Sequence, residues 1–318
     1  MHDDSLAPAG FTWDVYLSAL LRTHGSLTTL AEKLALQRGF EDDVASIEKA
    51  LRRLRGRGLR PGGKWGTRLV SLFGLPGAVE ARLRWMAAYH SRFTDLPVAV
   101  CEDLIRLWDH PPTTERGESR ACLALARASL ALRRNDLPSA RDCLAQVELE
   151  AARLPIELEL EALLVHGYIA SKDDPSAVSH LLARVEPLLE RVASPEERAC
   201  FEARFTDQSA YQLNRAGSPA AAEALYRRLP SSGTPPFVAA RRENGLAYAL
   251  WKQGKNAEAT QHARASAEHA GDGGHVRLRA MALGMLARIE SERARSQATC
   301  RRHVRALGRR NPVGPPRG

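Results

Sequence analysis

The sequence has no run in which β-branched residues alternate with polar ones, so a sheet-built core is excluded and helix is left as the main element. No apolar stretch approaches the ~20 residues that a membrane-spanning helix needs. The opening MHDDSLAPAG has acids where an export signal carries bases, and the chain therefore reads as cytoplasmic. Cysteine is sparse: Cys101, Cys122, Cys143, Cys200 and Cys300 are odd in number, far apart and without metal-ligand spacing, which excludes a disulfide scaffold or a zinc site and makes them small apolar residues.

Catalytic constellations are missing too. The ten histidines include no pair at ligand or acid/base spacing; His90 and His166 sit in helical stretches. Glu102 and Asp103 are neighbours on one helix and point apart. The GDGG of Gly271 to Gly274 lacks the lysine and the preceding strand of a phosphate loop, and Ser231-Ser232-Gly233 is a linker rather than a nucleophile elbow. These absences predict a protein that is not an enzyme, with no cofactor and no metal.

What is present is Ala, Leu, Arg and Glu in long stretches punctuated by Gly and Pro, the composition of an all-α protein. Pairs of mostly small residues recur twelve positions apart: Ala87/Ala99, Ala128/Ala140, Val165/Ala177, Ala210/Ala222 and Ala247/Ala259. That separation suits two antiparallel helices crossing closely around a short turn, and its repetition predicts a stack of helical hairpins. A sixth pair, Gly284/Ser296, continues the register, but Ile289 to Gln297 contains no turn residue, so a long capping helix is expected there. The clearest unit is Leu246 to Ala267, with Leu246, Ala247 and Leu250 on its first helix, Gly254 at the turn, and Ala259 and Ala263 on its second.

This pattern resembles the tetratricopeptide repeat, over roughly residues 79 to 270. The resemblance implies a right-handed helical-hairpin solenoid whose first helices line a concave, partner-binding face. Carried across, that face comprises Arg204, Asp207, Tyr211, Asn214, Arg215, Arg241, Asn244, Tyr248, Trp251 and Lys252 in the C-terminal half, and the more apolar Cys122, Leu125, Leu132, Ala162 and Ile169 in the N-terminal half. Guanidinium, amide and aromatic groups together suit a protein or an acidic peptide.

Net charge is +9, unevenly spread. Seven basic residues and no acid lie between Arg52 and Arg68, eight arginines and no acid follow Glu292, and the remainder carries −6. The first basic segment lies in a short helical module: an amphipathic helix over Phe11 to Thr23, a second over Leu27 to Leu36, a third over Val44 to Arg55, and KWGTRLVSLFGLP after Pro61-Gly62-Gly63. Leu30-Ala31-Glu32-Lys33-Leu34, the helix holding Ile47 to Arg55, the Arg57-Gly58-Leu59-Arg60-Pro61 stretch and Leu69 to Pro76 resemble the helix-turn-helix domain of the Cro/repressor class. The link from Gln37 to Asp43 is longer and more acidic than the tight turn of that class. The resemblance implies DNA binding, with Ser46 and Lys49 toward bases and Arg52, Arg53, Arg55, Arg57, Arg60, Lys64 and Arg68 toward phosphates.

The expected organisation is a disordered N-terminus over 1–10, a helix-turn-helix-like module over 11–76, a tetratricopeptide-like solenoid with its capping helix over 77–307, and a disordered basic tail over 308–318. The expected function is a transcriptional regulator with a peptide- or protein-sensing array. The alternative is an adaptor or scaffold with no nucleic-acid role.

Overall fold

The computed structural model describes residues 10–37, 42–150 and 154–308; side chains of Pro175, Ser296 and 299–308 are not described. The readings of residues 1–9 and 309–318 as disordered, most of the acidic link before α3, and the side chain of Cys300 lie outside these. All regular elements among the described residues are helical. They are α1 (Trp13–His24), α2 (Leu27–Ala35), α3 (Val44–Arg55), α4 (Gly63–Phe73), α5 (Gly77–Ala87), α6 (Val98–Trp108), α7 (Gly117–Arg133) and α8 (Leu137–Glu148). Then follow α9 (Ile156–Asp173), α10 (Pro175–Leu189), α11 (Pro195–Arg215), α12 (Pro219–Arg228), α13 (Pro236–Lys252), α14 (Asn256–Asp272) and α15 (Val276–Gly308). None is long and apolar enough to cross a membrane.

Two compact units divide at Val192/Ala193. In the first, α1 to α4 wrap Trp13, Tyr16, Leu17, Leu30, Leu34, Ile47, Leu51 and Leu69, all fully buried. The helix starts are set by side-chain caps: Thr12 for α1, Ser26 for α2 and Asp43 for α3 each accept from a backbone N–H of the first turn. Trp13 fixes the entry to α4. Its Nε1 donates to the Arg60 carbonyl at 2.9 Å, and its ring lies so close to Gly62 and Gly66 that neither position has room for a Cβ. The Tyr16 hydroxyl donates to the Gly74 carbonyl at 2.6 Å, and burial pushes its pKa well above the ordinary tyrosine value.

The sequence boundary at 76/77 falls inside this first unit. Residues from Phe11 through Val79, Leu83 and Phe93 to Val165 and Ile169 form one continuous apolar core. The Glu115 carboxylate reinforces the join, accepting from the Gly62 N–H at 3.0 Å and the Thr67 hydroxyl at 2.7 Å.

The small-residue pairs fare unequally. Ala128 and Ala140 are fully buried where α7 packs on α8. Val165 is buried on α9, but on α10 the buried residue is Val178 rather than its neighbour Ala177. The first pair does not make a hairpin: Ala87 is buried while Ala99 is exposed, and α5 packs chiefly on α7. The reason lies in the connection, which is no short turn. It contains a 3-10 turn at Phe93–Asp95, and Phe93 is buried edge-on against Trp85, filling the space a facing helix would occupy.

In the second unit the register is clean. Ala210/Ala222 and Ala247/Ala259 are all at zero exposure, on α11/α12 and α13/α14. Each helix also packs on the next, α12 on α13 and α14 on α15, while the first helices of successive hairpins meet, α11 with α13 and α13 with α15. Gly217 and Gly254 turn the chain between partners at positive φ, the conformation glycine adopts without strain. Tyr226 of α12 is buried with its ring over Gly245 of α13, where a Cβ would overlap the ring. Gly245→Ala is therefore expected to destabilise this unit by about 1–3 kcal/mol through overpacking. Gly284→Ala, at an exposed helical site with open space, is expected to stabilise it by up to ~1 kcal/mol. Urea midpoints of the two variants check this, and the pair of opposite signs is the diagnostic result.

Candidate functional site

Two surfaces carry the chemistry expected from sequence, one in each unit, and each is described by itself. On α3, Ile47, Leu51 and Leu54 point into the core and Ser46, Lys49, Arg52, Arg53 and Arg55 are exposed, a division that follows from the 3.6-residue period. Asp43 caps the helix by accepting from the Ser46 N–H at 2.8 Å and from the Ser46 hydroxyl at 3.1 Å. Those hydrogen bonds hold its carboxyl below the usual carboxylate range. Ser46, expected to face bases, thus has its hydroxyl engaged in the cap.

The basic residues divide by partner. Arg52 pairs with Glu48 at 2.7 Å, Arg55 with Asp14, and Lys64 at 3.2 Å and Arg68 at 3.9 Å with Asp42. Arg57 donates to the Pro61 carbonyl and Arg60 to the Arg57 carbonyl, bonds that leave their charge uncompensated. Lys49, Arg53, Arg57 and Arg60 have no carboxylate partner among the described residues, and Lys49 and Arg53 lie one turn apart on one stripe of α3. Trp65 is half-buried against the core, with Lys64 at 4.8 Å and Arg68 at 5.6 Å from its ring centre, both within cation–π range.

In the second unit α11, α13 and α15 present the polar surface. Arg241 pairs with Asp207, and the Tyr226 hydroxyl donates to the other Asp207 oxygen at 2.8 Å. Arg241 also lies over the Phe237 ring at 5.4 Å. Arg204 is 5% exposed and lies over Phe201 at 5.9 Å, which makes it part of the packing rather than an open groove position. Tyr211 and Arg215 are exposed, with the guanidinium 5.9 Å from the ring. Tyr248 and Trp251 are tilted together at 5.5 Å, and exposed Lys252 lies over both rings. The amide oxygens of Asn214 and Asn244 and the amide nitrogen of Gln212 are buried with no hydrogen-bond partner among the described residues.

Sequence reasoning missed Arg288 and Glu292 of α15. The Trp251 Nε1 donates to Glu292 at 2.7 Å, and Arg288 lies over the Trp251 ring at 5.2 Å. A signal was present: the 37-residue step that carries Asn214 onto Trp251 carries Trp251 onto Arg288. The apolar N-terminal positions of the supposed concave face form no open surface, since Cys122, Leu125 and Ile169 are buried in the core of the first unit.

Among the described residues no three His, Cys, Asp or Glu side chains gather as a metal site would require. Burial pushes the thiols of Cys122 and Cys200 up to about 12, so neither supplies a thiolate near neutral pH. Comparison with protein-family models, with curated proteins and with solved structures gives no match.

Three N-cap aspartates, Asp43, Asp136 and Asp174, have carboxyls lowered by hydrogen bonds to the first turns of α3, α8 and α10. A carboxyl depressed in the folded state contributes stability above its unfolded value, near 3.9, and that contribution fades as pH falls through the folded value. Replacing all three by Asn keeps the caps and removes the charge. The triple variant is expected to lose less of its urea midpoint than the parent between pH 5 and about pH 2, and equal losses would show that these caps are not the acid-sensitive groups.

Proposed function

We propose that this chain is a cytoplasmic regulatory protein that contacts DNA through the α3 face and receives an acidic peptide or protein segment on the α11/α13/α15 surface. The observation that carries the proposal is the set of four uncompensated cations, Lys49, Arg53, Arg57 and Arg60, along an exposed helix face and the turn after it. A polyanion gains most where positive charge is not already neutralised, and the exposed pairs at Arg52 and Arg55 contribute little and exchange readily for phosphates. The resemblance of α1 to α4 to the Cro/repressor helix-turn-helix supports duplex DNA as that polyanion.

The hairpins read as a right-handed tetratricopeptide-like solenoid. What supports this is the alternation in the second unit, where each helix packs on its partner and the first helices also meet one another. The peptide role rests on Asn214, Gln212 and Asn244. Buried amide groups without partners are uncommon, and an extended peptide backbone supplies both donors and acceptors at such sites.

A second reading, an adaptor without nucleic-acid contact, is favoured by one observation. Residues of α1 to α4 share a continuous core with α5 to α9, as helices that merely cap an array would. Deleting residues 1–76 would strip that core, so charge variants separate the readings better than truncation does.

Fluorescence anisotropy of a short labelled duplex across 50–200 mM salt is the test. The DNA reading expects binding whose log K falls steeply with log salt. The slope is expected to become shallower by about 0.9 for each phosphate left unneutralised in Lys49→Gln, Arg53→Gln, Arg57→Gln and Arg60→Gln. No binding at 50 mM salt would leave the adaptor reading. For the other surface, Asn214→Ala with Asn244→Ala is expected to weaken binding of a glutamate-rich peptide about tenfold; an unchanged affinity in titration calorimetry would remove the peptide role from these residues.

A further inference from the structure

We propose that Trp251 marks a carboxylate subsite, where one acidic side chain of a bound peptide is gripped by Lys252 of α13 and Arg288 of α15 together. This rests on the reading of the α11/α13/α15 surface as a peptide site and names the point at which the acid sits. Lys252 lies 5.0 Å and Arg288 5.2 Å from the centre of the same indole ring, and both are exposed. Neither has a carboxylate within ion-pair distance among the described residues. Arg288 and Glu292 stand one turn apart on α15, a spacing at which ion pairs form. Here Glu292 instead accepts from the Trp251 Nε1 at 2.7 Å, and Arg288 lies over the ring with its charge uncompensated. Both cations end long, exposed side chains, so the two oxygens of a carboxylate can take one each as charge-assisted acceptors.

The neighbouring groups select what carries the acid. Asn244, Tyr248 and Trp251 fall at i, i+4 and i+7 on α13 and so share one face, and α11, which bears Asn214, packs on the same helix. The amide oxygens of Asn214 and Asn244 are buried without a hydrogen-bond partner among the described residues. A peptide backbone supplies both N–H and C=O groups to such amides, whichever way they are turned, whereas the phosphodiester chain of a nucleic acid offers acceptors alone. Charge points the same way. Glu292 is satisfied by an uncharged N–H and keeps its negative charge beside the two cations. That charge disfavours a polyanion or a dianionic phosphate and tolerates a single carboxylate.

The experiment uses the full chain, a labelled glutamate-rich peptide and its glutamine counterpart, with affinities read by fluorescence anisotropy. The parent is expected to bind the glutamate peptide about tenfold more tightly than the glutamine one. Lys252→Gln and Arg288→Gln are each expected to weaken the glutamate peptide about fivefold and to leave the glutamine peptide within about twofold, while Arg288→Lys stays within about threefold of the parent. Trp251→Phe keeps a ring but drops the N–H, which releases Glu292 to pair with Arg288. It is expected to weaken the glutamate peptide about threefold, and adding Glu292→Gln is expected to restore the affinity. Unchanged affinity for the glutamate peptide in a chain carrying both Lys252→Gln and Arg288→Gln overturns the proposal; if Asn214→Ala with Asn244→Ala still weakens that peptide, the peptide reading of the surface stands without it. An equal loss for both peptides also overturns it, because the two cations would then be shaping the fold rather than holding an acid. So does tight binding of a phosphoserine peptide by a parent chain that does not distinguish glutamate from glutamine. Failure of the parent to bind either peptide overturns both this subsite and the peptide reading.

Discussion

Close approach of helix backbones through alanine is the constraint on which the second unit depends. Ala210, Ala222, Ala247 and Ala259 have no exposed surface, and a larger side chain at any of them would push a hairpin open. The same distance then fixes everything between hairpins. Tyr226 fits between α12 and α13 only because Gly245 lacks a Cβ, and from that seat its hydroxyl reaches Asp207. Asp207 in turn holds Arg241 against Phe237. A backbone spacing set by methyl groups thus decides which way the Arg241 guanidinium can point.

In the first unit Trp13 has the comparable part. Its ring rests on Gly62 and Gly66 and its indole N–H is satisfied by the Arg60 carbonyl, so a buried aromatic with a polar edge meets both requirements in one place. The contact orders the Arg57-to-Gly62 turn from beneath while its arginines face water. Glu115 then binds the same turn from the far side, which is why the basic segment belongs structurally to the larger core.

Much of the helical order was legible because it is written in local chemistry. α3 begins and ends at the expected residues, since Asp43 is a side-chain cap and Gly56 a stop, both visible in a few positions. The hairpin register was legible where the turn is short. It failed at Ala87/Ala99 because whether Phe93 is buried depends on Trp85, eight residues away and unrelated by any repeat. The candidate surfaces were legible as residue types and not as states. Nothing in the sequence says that Arg204 is buried, that Ser46 turns its hydroxyl back to Asp43, or that Asp207 takes up Arg241, because each depends on a neighbour brought close only by packing.

Charge in a sequence is therefore not charge at a surface. The segment from Arg52 to Arg68 counts as seven positive residues, yet Glu48, Asp14 and Asp42, all outside it or on the opposite side of a helix turn, reach in and pair with four of them. What remains of the seven is Arg53, Arg57 and Arg60, which together with Lys49 just before the segment carry a narrower field. With the rest of the chain at −6, a polyanion is repelled from most of the molecule and drawn to the places where pairing is incomplete. Discrimination between those places and the remaining surface follows from where the carboxylates fall short, and that is a property of the fold rather than of composition.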